Sequence, residues 1–93
     1  MTRVKELSEE VKRSFENVEN LLQGMINDRS VPRNIKRVAQ RCINELKRED
    51  ESAGVLSSNI MYMVDDLSQD PNIPFHSRTT IYRILSILEK IKD

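Results

Sequence analysis

The chain has 93 residues, 15 Lys and Arg against 15 Asp and Glu, zero net charge, 32% charged residues and 38% hydrophobic ones. That length supports one domain with a modest core, and no apolar run approaches the roughly 18 residues of a membrane span. One cysteine excludes an internal disulfide. The opening Met-Thr-Arg-Val-Lys-Glu does not read as a signal peptide, so a reducing, cytoplasmic setting is expected.

The first helix is predicted over residues 3–27. Val4, Leu7, Val11, Phe15, Val18, Leu22 and Met25 recur at spacings of three and four, which forms one apolar stripe. Asp28-Arg29-Ser30-Val31-Pro32 then stops the helix and restarts another. Asp28 and Ser30 are placed to cap free amides, and Pro32 suits a first helical turn because its missing N–H needs no partner there. A second helix is predicted over 32–48, with Ile35, Val38, Ala39, Cys42, Ile43 and Leu46 inward.

Polar residues 49–52 form the next break. A third helix is predicted over 52–68, with Ala53, Leu56, Ile60, Met63, Val64 and Leu67 on one face. Asp70-Pro71-Asn72-Ile73-Pro74 is the strongest breaker in the chain. The fourth helix is predicted over 74–92, with Ile81, Ile84, Leu85, Leu88 and Ile91 inward. No segment alternates with period two, so no strand is expected.

An internal repeat supports pairing these helices. A shift of 42 residues places Asp28 on Asp70, Val31 on Ile73, Pro32 on Pro74, Arg41 on Arg83 and Leu46 on Leu88. Each half is a helix, an Asp-x-x-Val/Ile-Pro turn and a second helix. Short connections make antiparallel neighbours. Two such repeats are fewer than the three a solenoid usually needs. The expected fold is all-α: an up-and-down four-helix bundle of two antiparallel hairpins occupying residues 1–93.

Asp28-Arg29-Ser30-Val31-Pro32-Arg33-Asn34-Ile35-Lys36 and Asp70-Pro71-Asn72-Ile73-Pro74-Phe75-His76-Ser77-Arg78-Thr79 resemble two signature stretches of a small uncharacterised archaeal protein family. The resemblance runs from about residue 18 onward. It implies an all-helical four-helix bundle. It implies no activity and carries over no catalytic residue.

Catalytic machinery is hard to assemble from this composition. Gly24 and Gly54 are isolated, so no glycine loop cradles a phosphate. One Cys and one His cannot form a Cys-x-x-Cys or His-x-x-x-His metal motif. Cys42 lies on an apolar stripe and reads as a core thiol. His76, near the start of the fourth helix, could line an anion pocket with Arg78 and Thr79, but a helix N-terminus disfavours protonated His. It reads better as a polar tie to the turn. Asp28 and Asp70 read as structural caps, each just before a helix. No enzyme, cofactor or metal is expected.

Charge is strongly segregated. Residues 29–48 carry a net charge of +6 and residues 49–70 a net charge of −6. Arg33, Lys36, Arg37, Arg41 and Arg48 project opposite the apolar face of the second helix and form a candidate binding face. Val55 and Tyr62 lie off the core stripe of the third helix and form a candidate partner patch. These features point to a small interaction module with a protein partner, a homo-oligomer being one form of it. The second choice is nucleic acid, bound at its phosphates by the basic face. Against it, no aromatics interleave with those cations to stack bases. No membrane partner is expected.

Overall fold

A computed structural model describes residues 7–93. It contains four α-helices, α1 (Glu9–Ile26), α2 (Arg33–Leu46), α3 (Ala53–Ser68) and α4 (Phe75–Leu88), with no strand among the described residues. Each helix packs on the next, and α4 returns onto α1 to close a four-helix bundle. The body measures 39 × 22 × 19 Å.

Local chemistry sets each boundary. α1 starts at Glu9 because Ser8 takes extended backbone and its Oγ accepts from the Val11 amide at 3.1 Å; the predicted start at residue 3 lies outside the described residues. Glu9 and Glu10 then sit in the first turn, where negative charge complements the helix dipole. The predicted stripe residue Val4 lies outside the described residues. α3 repeats the device: Ser52 Oγ accepts from the Val55 amide at 3.3 Å.

A second group secures that end of α3. Asp93 Oδ1 accepts from the Gly54 amide at 2.8 Å, and Asp93 Oδ2 accepts from Ser52 Oγ at 2.8 Å. A Cβ at position 54 would lie 2.8 Å from the Asp93 carboxyl carbon. A side chain there would have to displace this Asp93 carboxylate.

Pro32 and Pro74 occupy the N-cap positions of α2 and α4, one residue before the predicted first turn. Their φ angles of −59° and −61° suit the proline ring, and their ψ angles of 153° and 149° keep them outside the helix. Each carbonyl receives the first helical amides: Pro32 from Ile35 and Lys36, Pro74 from Ser77 and Arg78. At its far end α4 stops at Leu88 rather than near residue 92, because the Ile91 amide turns back onto the Leu88 carbonyl at 3.0 Å.

The predicted stripes meet in one core. Val18, Leu22, Ile35, Ala39, Cys42, Leu56, Ile60, Val64, Ile81, Ile84 and Leu88 are fully enclosed. Val38, Met63, Leu85 and Ile91, expected inward, are half-buried and pack against its margin. Burial pushes the Cys42 thiol up to about 12, which leaves it neutral and inert at physiological pH.

Three buried serines, Ser57, Ser68 and Ser77, break the apolar pattern among the described residues. Ser57 and Ser77 are each 1% exposed, and their hydroxyls find no partner among the described residues. A buried hydroxyl without a partner costs stability. Ser57→Ala should therefore raise the unfolding free energy by about 1 kcal/mol. Leu88→Ala, which empties a fully enclosed site, should lower it by about 2–5 kcal/mol. Chemical denaturation of both variants checks the pair.

Candidate functional site

The two Asp-x-x-Val/Ile-Pro turns lie at one end of the bundle and interlock. In the first turn, Asp28 Oδ1 accepts from the Ser30 amide at 2.8 Å and from Ser30 Oγ at 2.7 Å. In the second, Asp70 Oδ1 accepts from the Asn72 amide at 2.8 Å. Both aspartates thus cap their own turn as an Asx-turn does. This corrects the expectation that they cap the following helices. The helices begin only after Pro32 and Pro74, and neither receives a side-chain cap.

The second carboxylate oxygen of each aspartate crosses to the other hairpin. Asp28 Oδ2 meets His76 Nε2 on α4 at 2.7 Å, and Asp70 Oδ2 accepts from Asn34 Nδ2 on α2 at 3.2 Å. Asn34 and His76 are themselves 42 residues apart, so the two contacts are related by the repeat. His76 serves as a polar tie, as its sequence context suggested. Arg78, another residue of that signature, donates from Nε to the Ser68 carbonyl at 3.2 Å and so closes the C-terminal end of α3.

Hydrogen bonds from Ser30 and His76 hold the Asp28 carboxyl down at about 2, from an ordinary 3.8. Cys42 and His76 lie in different settings, one sealed in the core and one at the surface. Among the described residues no group of three or more His, Cys, Asp or Glu side chains could hold a metal ion. No described helix is long and apolar enough to cross a membrane.

The candidate binding residues fall into two assemblies. Arg48 turns into the α2–α3 connection. Its Nε and Nη2 donate to the two Asp50 oxygens at 2.9 Å each, and its Nη1 donates to Glu45 at 3.0 Å. Glu45 also accepts from Asn59 on α3 at 2.8 Å. Arg48 is therefore part of a structural junction. Arg33, Lys36, Arg37 and Arg41 remain along α2 and make no ion pair among the described residues.

Arg41 and Tyr62, drawn from two separate predicted surfaces, meet across one groove. It has a volume of about 520 Å³ and runs between α2 and α3. Val38 and Arg41 form one wall; Tyr62, Met63, Asp65, Asp66 and Gln69 form the other. Tyr62 is 83% exposed and stands on the ridge between this groove and a smaller one toward α4, lined by Ser58, Met61, Leu85 and Glu89. Val55, at 40% exposed, lies two helical turns away on α3 and lines neither groove.

Sequence reasoning missed Phe75 and Tyr82, which are 81% and 56% exposed. Their seven-residue separation, off the α4 core stripe, is the signal that could have found them. It also missed Asn34, whose role is visible only once the repeat is applied to His76.

The fold and the site define a small all-helical bundle with interlocked turns and an open, mixed-charge groove. The chain belongs to the uncharacterised protein family UPF0147, whose model matches residues 1–91. It is 41% identical over 87 residues to a UPF0147 protein of Desulfurococcus amylolyticus, covering 94% of this chain and 93% of that one. It is 47% identical over 73 residues to one of Saccharolobus solfataricus, covering 78% and 82% respectively. A crystal structure from UPF0147 of Thermoplasma acidophilum superposes with a TM-score of 0.84 at 34% identity, over 91% of this chain and all of that one. A crystal structure of a protein of unknown function gives a TM-score of 0.85 at 38% identity, over 97% of this chain and all of that one.

The depressed Asp28 value makes a stability prediction. A group whose folded value lies below its unfolded one stabilises the fold above the unfolded value, and that contribution is lost as pH falls through the folded one. Wild type should exceed Asp28→Asn in stability at pH 5. The gap should close between pH 3.8 and about 2. Parallel denaturation series at pH 5 and pH 2 check this; a gap that ignores pH would refute the role given to the carboxylate.

Proposed function

We propose that this is a small, cytoplasmic, non-enzymatic module that binds a protein partner through its α2–α3 face. The observation that carries the reading is the groove itself. Arg41 on α2 faces exposed Tyr62 and the carboxylates Asp65 and Asp66 on α3, and none of these three charged groups makes an ion pair among the described residues. Tyrosine supplies large contact area at low entropic cost, and opposite charges beside it fix register. Neither wall offers a nucleophile–base pair, which supports a binding role over a catalytic one.

A second reading uses Arg33, Lys36, Arg37 and Arg41 to follow a phosphate backbone. Their lack of ion pairs favours it. Asp65 and Asp66 disfavour it, because they would repel phosphates from the groove beside Arg41. Arg48 is already committed to Asp50 and Glu45.

Affinity capture from native lysate, with and without nuclease, separates the two. The protein reading expects partners that survive nuclease and fall at least tenfold with Tyr62→Glu. Nucleic acid bound with a log–log salt slope of several units, and abolished by Arg37→Glu with Arg41→Glu, would replace it with the second reading.

A further inference from the structure

The groove carries both signs of charge, and among the described residues neither is neutralised by an ion pair. The carboxylates of Asp65 and Asp66 form no ion pair among the described residues, and neither do Arg37 and Arg41. All four side chains are exposed. The basic wall belongs wholly to α2 and the acidic wall wholly to α3.

A surface divided in this way is complementary to itself. A two-fold axis lying in the contact plane and parallel to the helices sets α2 of one copy over α3 of the other, twice. Basic wall then faces acidic wall on both sides of the seam. An axis perpendicular to the helices would instead set α2 on α2, with arginines opposed.

The register also agrees. Arg37 and Arg41 lie one helical turn apart on α2, and Tyr62 and Asp66 lie one turn apart on α3. Across an antiparallel α2–α3 contact, seating Arg41 over Tyr62 brings Arg37 over Asp66. Arginine stacks on aromatic faces and forks onto carboxylates, so each contact suits its residue. Val38 and Met63, half-buried in the same groove, supply apolar surface to the seam.

We infer that the α2–α3 groove is the interface of an isologous homodimer, in which Arg37 and Arg41 of each copy engage Asp66, Asp65 and Tyr62 of the other. The inference rests on the protein-binding reading of this face and names its partner as a second copy of the chain.

Sedimentation equilibrium and light scattering of the full chain test it, with circular dichroism confirming that each variant is helical. Wild type should be dimeric at micromolar concentration and weaken with added salt. Arg37→Glu with Arg41→Glu should be monomeric, with dimerisation weakened roughly 100-fold or more. Asp65→Arg with Asp66→Arg should be monomeric too. Mixed in equal amounts, the two monomeric proteins should form a heterodimer, because each reversed wall then meets its complement on both sides of the seam. A wild type that stays monomeric at millimolar concentration overturns the homodimer. So does a pair of variants that stays dimeric alone, or monomeric when mixed. None of these results bears on capture of a different protein by Tyr62, so the broader reading stands or falls on its own experiment.

Discussion

Two aspartates, Asp28 and Asp70, fix how the halves of this bundle meet. Each holds its own turn with one carboxylate oxygen and reaches the opposite hairpin with the other. The local bond shapes the turn, and the turn aims the second oxygen. Exposed polar contacts of this kind add little to net stability. Their value is directional: apolar burial drives the hairpins together without choosing an orientation, whereas paired donors on α2 and α4 select one.

The repeat also organises the core, through difference as much as likeness. Turn residues are kept across the 42-residue shift, since both turns make the same backbone bonds. Core pairs such as Leu22 with Val64 and Leu46 with Leu88 stay large in both halves, but four pairs differ in size. Phe15 corresponds to Ser57, Ile35 to Ser77, Ala39 to Ile81 and Cys42 to Ile84, all of them buried. Interiors pack near crystal density, so the two halves cannot both place a large side chain wherever their faces converge. A small residue in one hairpin leaves room for a large one in the other. The unpartnered hydroxyls of Ser57 and Ser77 are the residual cost of that exchange.

These features explain what the sequence made legible. Helix number, core faces and the pairing of hairpins followed from spacing, because burying an amphipathic stripe leaves few alternatives. Boundaries depended on single hydrogen bonds that spacing does not report. Ser8 set the start of α1, and the Ile91 amide set the end of α4. Asp28 and Asp70 were legible as polar turn residues but not in their roles: they hold their own turns rather than the following helices, and their second partners lie 48 and 36 residues away in the chain. The setting of Gly54 was opaque for a similar reason: the carboxylate that accepts from its amide comes from Asp93, 39 residues away. On the surface, Tyr62 was visible as an apolar residue off its stripe. That it shares a groove with Arg41 depends on how α2 and α3 are rotated about their axes, which composition does not encode.

Charge segregation has a physical reading that stability alone does not give. A chain that balanced its charges for solubility would intersperse the two signs, whereas here +6 lies on residues 29–48 and −6 on residues 49–70. The fold then sets these segments on adjacent antiparallel helices. Part of the imbalance is absorbed at the junction, where Arg48 holds Glu45 and Asp50 and Lys47 reaches Glu19 on α1. The central turns are left out of this settlement. Among the described residues Arg41 on one wall of the groove and Asp65 and Asp66 on the other make no ion pair, nor does Arg37 one turn along α2, and exposed Tyr62 stands on the acidic wall. Leaving such groups solvated costs the monomer little. Aligning them in rows along facing walls would orient a docking partner, because a partner turned end for end meets like charge on both walls. Under the proposed binding reading, the same segregation that is neutral for folding would be selective for association.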